Sequence, residues 1–168
     1  MRPSNKYLAA CLSLLVLVAI TACTKRIVSI SSPRYTKVDN TYYYFSITPL
    51  STNERHCGFR LILKNKTEKP IFVDWNKTYY ICDDERQGGF IFDGINYENR
   101  HDIIPLEKIR GWDIFIKTIW PVVLAEGSPE ELTQMPMEEG THGVEVAVVI
   151  DGKIITERLV VQISSVEK

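Results

Sequence analysis

Neither sign of charge is in excess: 20 lysines and arginines stand against 21 aspartates and glutamates. A chain so balanced has no polybasic surface with which to grip nucleic acid, and no electrostatic reason to lie on anionic lipid. Glycine-rich phosphate loops are missing, as are an H-E-x-x-H helix and any nucleophile motif built on serine or cysteine. His56, His101 and His142 are too scattered along the chain to imply a metal site. No catalytic residue, metal ligand or cofactor is expected, and the chain is not read as an enzyme. Low-complexity segments and internal repeats are also lacking. So is a long apolar run: the uncharged stretch from Leu8 to Ile20 covers only part of the ~20 residues a membrane-spanning helix needs.

That short run takes its meaning from its flanks. Arg2 and Lys6 precede it in MRPSNKY, and small residues lead out of it to Cys23. A positive flank, a short apolar centre and a small-residue exit are the parts of a secretory signal. The four residues Ile20-Thr21-Ala22-Cys23 resemble the lipobox of bacterial lipoproteins. The resemblance implies diacylglycerol transfer to the Cys23 sulfur, cleavage before Cys23, and acylation of the new amino terminus, commonly with palmitate. Each buried methylene contributes about 0.8 kcal/mol, so two or three chains hold a protein on a membrane where one binds only marginally. Thr24, in place of an aspartate that favours inner-membrane retention, points to the outer membrane facing the periplasm if the source is Gram-negative. Without Arg2 and Lys6 the mature chain carries a net charge of about −3.

Three segments follow from this reading: a signal peptide (1–22), a lipidated cysteine and tether (23–40) in which one short apolar run can add an edge strand, and one packed domain (41–168). Of four cysteines, Cys11 leaves with the signal and Cys23 carries lipid. Cys57 and Cys82 remain in an oxidising compartment, where disulfides persist. If joined they close a loop of about twenty-six residues, worth about 3.5 kcal/mol in the chain-entropy picture. A hairpin turn at 65–69 would set Cys57 opposite Asn76 and leave Cys82 several residues beyond, so two separate thiols stand beside the disulfide as an equal alternative.

The domain reads as strands. TYYYFSITP puts Tyr43, Phe45 and Ile47 on one face, with Tyr42, Tyr44 and Ser46 on the other. GFRLILK alternates in the same way, and PIFVDW begins on Pro70, which a strand start tolerates. TYYIC and GFIF flank the polar loop DDERQGG, and WDIFIKTIW sets Trp112, Ile114 and Ile116 against Asp113 and Lys117. Near the end, Asp151-Gly152 suits a two-residue type I′ turn. In that register Glu145 faces Arg158, and Glu157 falls on an otherwise apolar face. One short helical turn is expected at SPEEL, where Ser128 caps, Pro129 opens the helix and Glu131 closes a capping box. Such a series makes an all-β, antiparallel β-sandwich, immunoglobulin-like in arrangement though lacking the cysteine and tryptophan spacing of true immunoglobulin domains. A closed barrel is the alternative.

LKNKTEKPIFVDWNKTYYI, GGFIFDGINY and IIPLEKI together resemble a group of small bacterial lipoproteins that share an N-x-T-x-K-P-I-x-x-D-W-N pattern. The likeness spans roughly Leu61 to Trp120. It implies a secreted β domain and transfers no catalytic residue.

Aromatic residues supply the candidate binding surface: Tyr42 and Tyr44 on one strand, and Trp75, Tyr79 and Tyr80 in DWNKTYY. The same residues can equally serve as a hydrogen-bonded corner with Trp75 in the core. Asn65-Lys66-Thr67 and Asn76-Lys77-Thr78 match a glycosylation acceptor but read here as turns, and Asp83, Asp84 and Glu85 read as a solvated loop. The functional expectation is a membrane-anchored accessory or scaffold subunit that binds a protein of the bacterial envelope. The alternative is a small-ligand or glycan binder that uses exposed aromatics.

Overall fold

The computed structural model describes residues 26–95, 102–126 and 133–167. Cys23, His101 and the SPEEL segment lie outside the described residues. The amino-terminal strands are β1 (Ile27–Ser32), β2 (Thr36–Asp39), β3 (Tyr43–Thr52) and β4 (Arg55–Asn65). Short strands follow: β5 (Ile71–Val73), β6 (Tyr79–Cys82), β7 (Glu85–Arg86), β8 (Phe90–Ile91) and β9 (Glu107–Ile109). Then come β10 (Ile114–Pro121), β11 (Ala125–Glu126), β12 (Thr133–Gln134), β13 (Gly140–Ile150) and β14 (Lys153–Glu167). Among the described residues the helical turns are 3₁₀, at Trp75–Lys77 and Val122–Leu124.

Two open antiparallel sheets face each other. One runs β1-β14-β13-β5-β9, with β6 also on β13 and β7 on β6; the other runs β2-β3-β4-β10-β8. Tyr43, Phe45, Ile47, Phe59, Leu61 and Leu63 of the second sheet pack against Ile71, Val73, Val144, Val146, Val148, Val161 and Ile163 of the first. Period-two alternation thus builds a sandwich core, each sheet turning one parity of its strands inward. No helix among the described residues is long and apolar enough to cross a membrane.

Residues 27–39 do more than tether. They give each sheet an edge: β1 pairs with β14 and β2 with β3. The Asp151-Gly152 hairpin has the expected register, Ile150 opposite Lys153 and Glu145 opposite Arg158, and both turn residues have positive φ. Glu157 does face the other sheet, where it accepts a hydrogen bond from the buried Tyr43 hydroxyl at 2.7 Å. The segment 65–69 is no hairpin. β4 and β5 belong to different sheets, so the chain crosses the sandwich there.

Asn65 anchors that crossing. Fully buried, it donates from Nδ2 to the carbonyls of Lys69 and Arg110 (2.8 and 3.0 Å) and accepts from the Thr67 amide and hydroxyl (2.9 Å each). Its neighbour turn demands Gly111, because a Cβ there would sit 2.2 Å from the Glu68 carbonyl oxygen.

Candidate functional site

The DWNKT corner is a structural device. Asp74 caps the 3₁₀ turn by accepting from the Asn76 amide at 3.1 Å, and Thr78 Oγ1 donates to the Asp74 carbonyl at 2.8 Å. The Asn76 side chain exchanges two hydrogen bonds with the backbone of Ile104, at 2.7 and 2.9 Å. Trp75 is thereby turned into the core, 4.4 Å between centroids from Phe92. Its indole N–H donates to Glu107 Oε2 at 2.6 Å, and Lys117 Nζ meets both Glu107 oxygens at 2.9 and 2.8 Å. The same ammonium lies 4.2 Å from the Phe92 ring and 5.4 Å from that of Trp75. Trp75 is therefore removed from the expected aromatic surface. A tryptophan beside an inward carboxylate and ammonium satisfies its N–H better inside than at a contact face.

Tyr80 is removed for a similar reason. It is buried, and its ring stacks on His142. His142 Nε2 lies 2.9 Å from the Glu138 carbonyl, which can only accept, so that nitrogen carries the proton. Nδ1 is then the acceptor for the Tyr80 hydroxyl at 2.6 Å. Burial holds the His142 pKa below its ordinary value and the Tyr80 pKa above, so both are neutral. Cys82 lines a cleft of about 360 Å³ beside this pair, its thiol pushed up first by burial and then by Asp83. Cys57 is buried on β4 in the opposite sheet, and both cysteines are free thiols.

Tyr79 lies under Arg86 (4.8 Å from guanidinium to ring) on the outer face of the first sheet. There the buried Glu145 pairs with Arg86 at 2.5 Å and Arg158 at 2.7 Å. The Asp83 carboxylate accepts from the Thr141 amide at 3.0 Å, and Asp83 and Asp84 form the positive-φ turn between β6 and β7. Among the described residues no group of His, Cys, Asp and Glu converges as metal ligands.

Tyr42 and Tyr44 remain on the outer side of the second sheet. Across that face Asp39, Tyr44, Lys64 and Ile114 stand in register, as do Ser46, Ile62 and Ile116. Half-exposed Tyr42 immediately precedes β3, and Lys37 covers Tyr44 from 5.7 Å. The bare apolar surface lies farther along: Trp112, Ile114 and Ile116 are 63, 54 and 60% exposed. The inward parity of β10 is Phe115, Lys117 and Ile119, the reverse of what an apolar-in, charged-out reading of WDIFIKTIW gives. Apolar residues fill both parities, so alternation alone cannot choose the face. Glu107 and the rings around Lys117 choose it.

Among the described residues, β10 is also an open edge over most of its length. The Asn65 amide donates to the Asp113 carbonyl at 3.0 Å. Antiparallel alternation then directs the backbone groups of Phe115, Lys117 and Ile119 to β4, and those of Ile114, Ile116 and Thr118 away from it. On that side β8 reaches only Trp120 and Pro121, and Asp113 Oδ1 takes the Ile114 amide at 2.9 Å. Among the described residues no strand covers the remainder.

Compared with protein-family models, with curated proteins and with solved structures, the chain finds no match. The site therefore stands on its own geometry: backbone donors and acceptors along one strand, beside an exposed stripe of isoleucine and tryptophan.

Proposed function

We propose that this chain is a lipid-tethered, extracytoplasmic β-sandwich that acts by binding, as an accessory or scaffold subunit of a bacterial envelope complex. Its partner is a protein that lays an extended segment along β10. The observation that carries this reading is the coincidence of an edge that no described strand covers between Ile114 and Ile119 with Trp112, Ile114 and Ile116 exposed beside it. Strand addition takes affinity from main-chain hydrogen bonds and specificity from alternate side chains, and β10 offers both. Tethering rests on the lipobox resemblance at Cys23, and the outer membrane on Thr24 if the source is Gram-negative. An immunoglobulin-like arrangement belongs to the same proposal. It is supported by the order β3-β4-β10-β8 opposite β14-β13-β5, which parallels the ABED and GFC sheets of that fold. A glycan or small-ligand site made of exposed aromatics is less well supported, because Trp75 and Tyr80 are core residues.

Crosslinking in intact cells, with partners identified by mass spectrometry, tests the reading. A specific protein should be captured by the native chain, lost with Ile116→Lys, and lost or misplaced with Cys23→Ser. A Cys23→Ser chain that resists alkaline washing from membranes would contradict the lipid anchor.

A further inference from the structure

The outer side of the second sheet resolves into rows that run across its strands. Asp39, Tyr44, Lys64 and Ile114 make the first row, and Lys37, Ser46, Ile62 and Ile116 the second. Thr48, Arg60 and Thr118 make the third. Each row ends on β10, so its next position belongs to whatever strand pairs there. Neighbouring strands lie about 4.8 Å apart, and the side chains of one row touch.

Positive charge is in excess at the end of the first row. Its carboxylate, Asp39, is bonded to Lys66, and that hydrogen bond is the main reason its pKa lies below the usual carboxylate range. Lys37 and Lys64 add to the shift, so three lysines share one aspartate. Lys64 itself is exposed and forms no ion pair among the described residues. Asp113, beside Ile114, uses one carboxylate oxygen to hold the Ile114 amide.

The second row is apolar where it meets the edge. Ile62 and Ile116 line an open groove of about 430 Å³, together with Arg60, Asp93, Lys117 and Thr118. Arg60 and Asp93 bring opposite charges to that groove, so the uncompensated charge stays at the Ile114 end. The backbone N–H and C=O of Ile116 point away from β4, and an extended peptide is the occupant that pairs with both.

We propose that the segment added to β10 carries a carboxylate beside Ile114 and, two residues along, an aliphatic side chain beside Ile116. The carboxylate answers Lys64, and the aliphatic side chain lies in the groove against Ile116 and Ile62. Lys64 stands two strand spacings, about 10 Å, from the added strand, a gap that lysine and glutamate side chains leaning toward each other can span. The acidic-x-aliphatic pattern rests on the reading of β10 as a binding edge and states what that edge selects.

NMR titration of the full chain with three end-blocked peptides tests the pattern. They are Ser-Glu-Thr-Ile-Thr-Glu-Ser and its counterparts with lysine or glutamine in place of both glutamates. Their side chains read the same in either direction, so strand polarity does not matter. The Ile116 amide should shift saturably with the glutamate peptide, about threefold more weakly with the glutamine peptide and about tenfold more weakly with the lysine peptide. Lys64→Glu, at an exposed position, should reverse the order of the glutamate and lysine peptides. Lys153→Glu, at the exposed hairpin of the opposite sheet, should leave that order unchanged. Equal binding of all three at Ile116 would overturn the acidic preference while leaving the edge reading intact. An order that survives Lys64→Glu would overturn the pattern as well. So would an Ile116 amide that none of the peptides moves by about 10 mM, with the edge itself then judged by crosslinking in cells.

Discussion

Asn65 ties three backbone groups, from its own turn and from the loop at Arg110, with one amide. Removing it strands the carbonyls of Lys69 and Arg110 and the amide of Thr67 in a buried place. Asn65→Ala should therefore cost about 3 kcal/mol, read from urea unfolding. The N-x-T spacing announced a turn here, and a turn is what Asn65 makes, but its second role at Arg110 depends on a loop 45 residues away that no local pattern names. The two buried histidines set a pH dependence. Both have pKa values held below the ordinary 6.5, chiefly by burial. The folded chain then binds fewer protons than the unfolded one as pH falls through 6.5, so stability present above that value is lost below it. Chemical denaturation between pH 8 and 5 should show this decline, and it should flatten in a His56→Gln, His142→Gln double variant.

At the scale of the strand, β10 divides its residues between two tasks. Ile119 is fully buried, whereas Ile114 and Ile116 are mostly exposed. Ile119→Ala should cost about 2–4 kcal/mol, while Ile114→Lys and Ile116→Lys should change stability by less than about 0.5 kcal/mol. Thermal unfolding of the three variants measures the contrast. Lys117, a charge turned inward on an edge strand, is one of the devices that discourage indiscriminate pairing. It leaves the edge usable by a segment whose own side chains do not crowd the Lys117–Glu107 pair. Next to β10, Gly111→Ala should lose about 1–3 kcal/mol, since backbone rather than a flexible side chain meets the new methyl.

For the whole molecule, alternation made the strands legible and their assignment to sheets much less so. β13 and β14 could be paired from Asp151-Gly152 because a two-residue turn fixes its own register. The 65–69 turn resembles a hairpin in composition, yet β5 joins β13 across 70-odd residues of chain. That choice is made by Ile71 and Val73 packing in the core, a long-range term. The same limit explains the aromatic candidates. Tyr79, Tyr80, Trp75, Tyr42 and Tyr44 are equally bulky in sequence, but hydrogen-bond partners at His142 and Glu107 draw two of them inside. Likewise the polar tether at 27–39 carries edge strands whose partners lie at opposite ends of the domain.

The most direct test of binding along β10 is site-specific photocrosslinking in living cells of the source organism. A photoreactive amino acid would be placed at Ile116, and in parallel at the exposed Ile154 of the opposite sheet. The expected result is one discrete crosslinked protein from position 116 and none from position 154. The same pattern at both positions, or no product from position 116, would contradict a partner on the β10 edge.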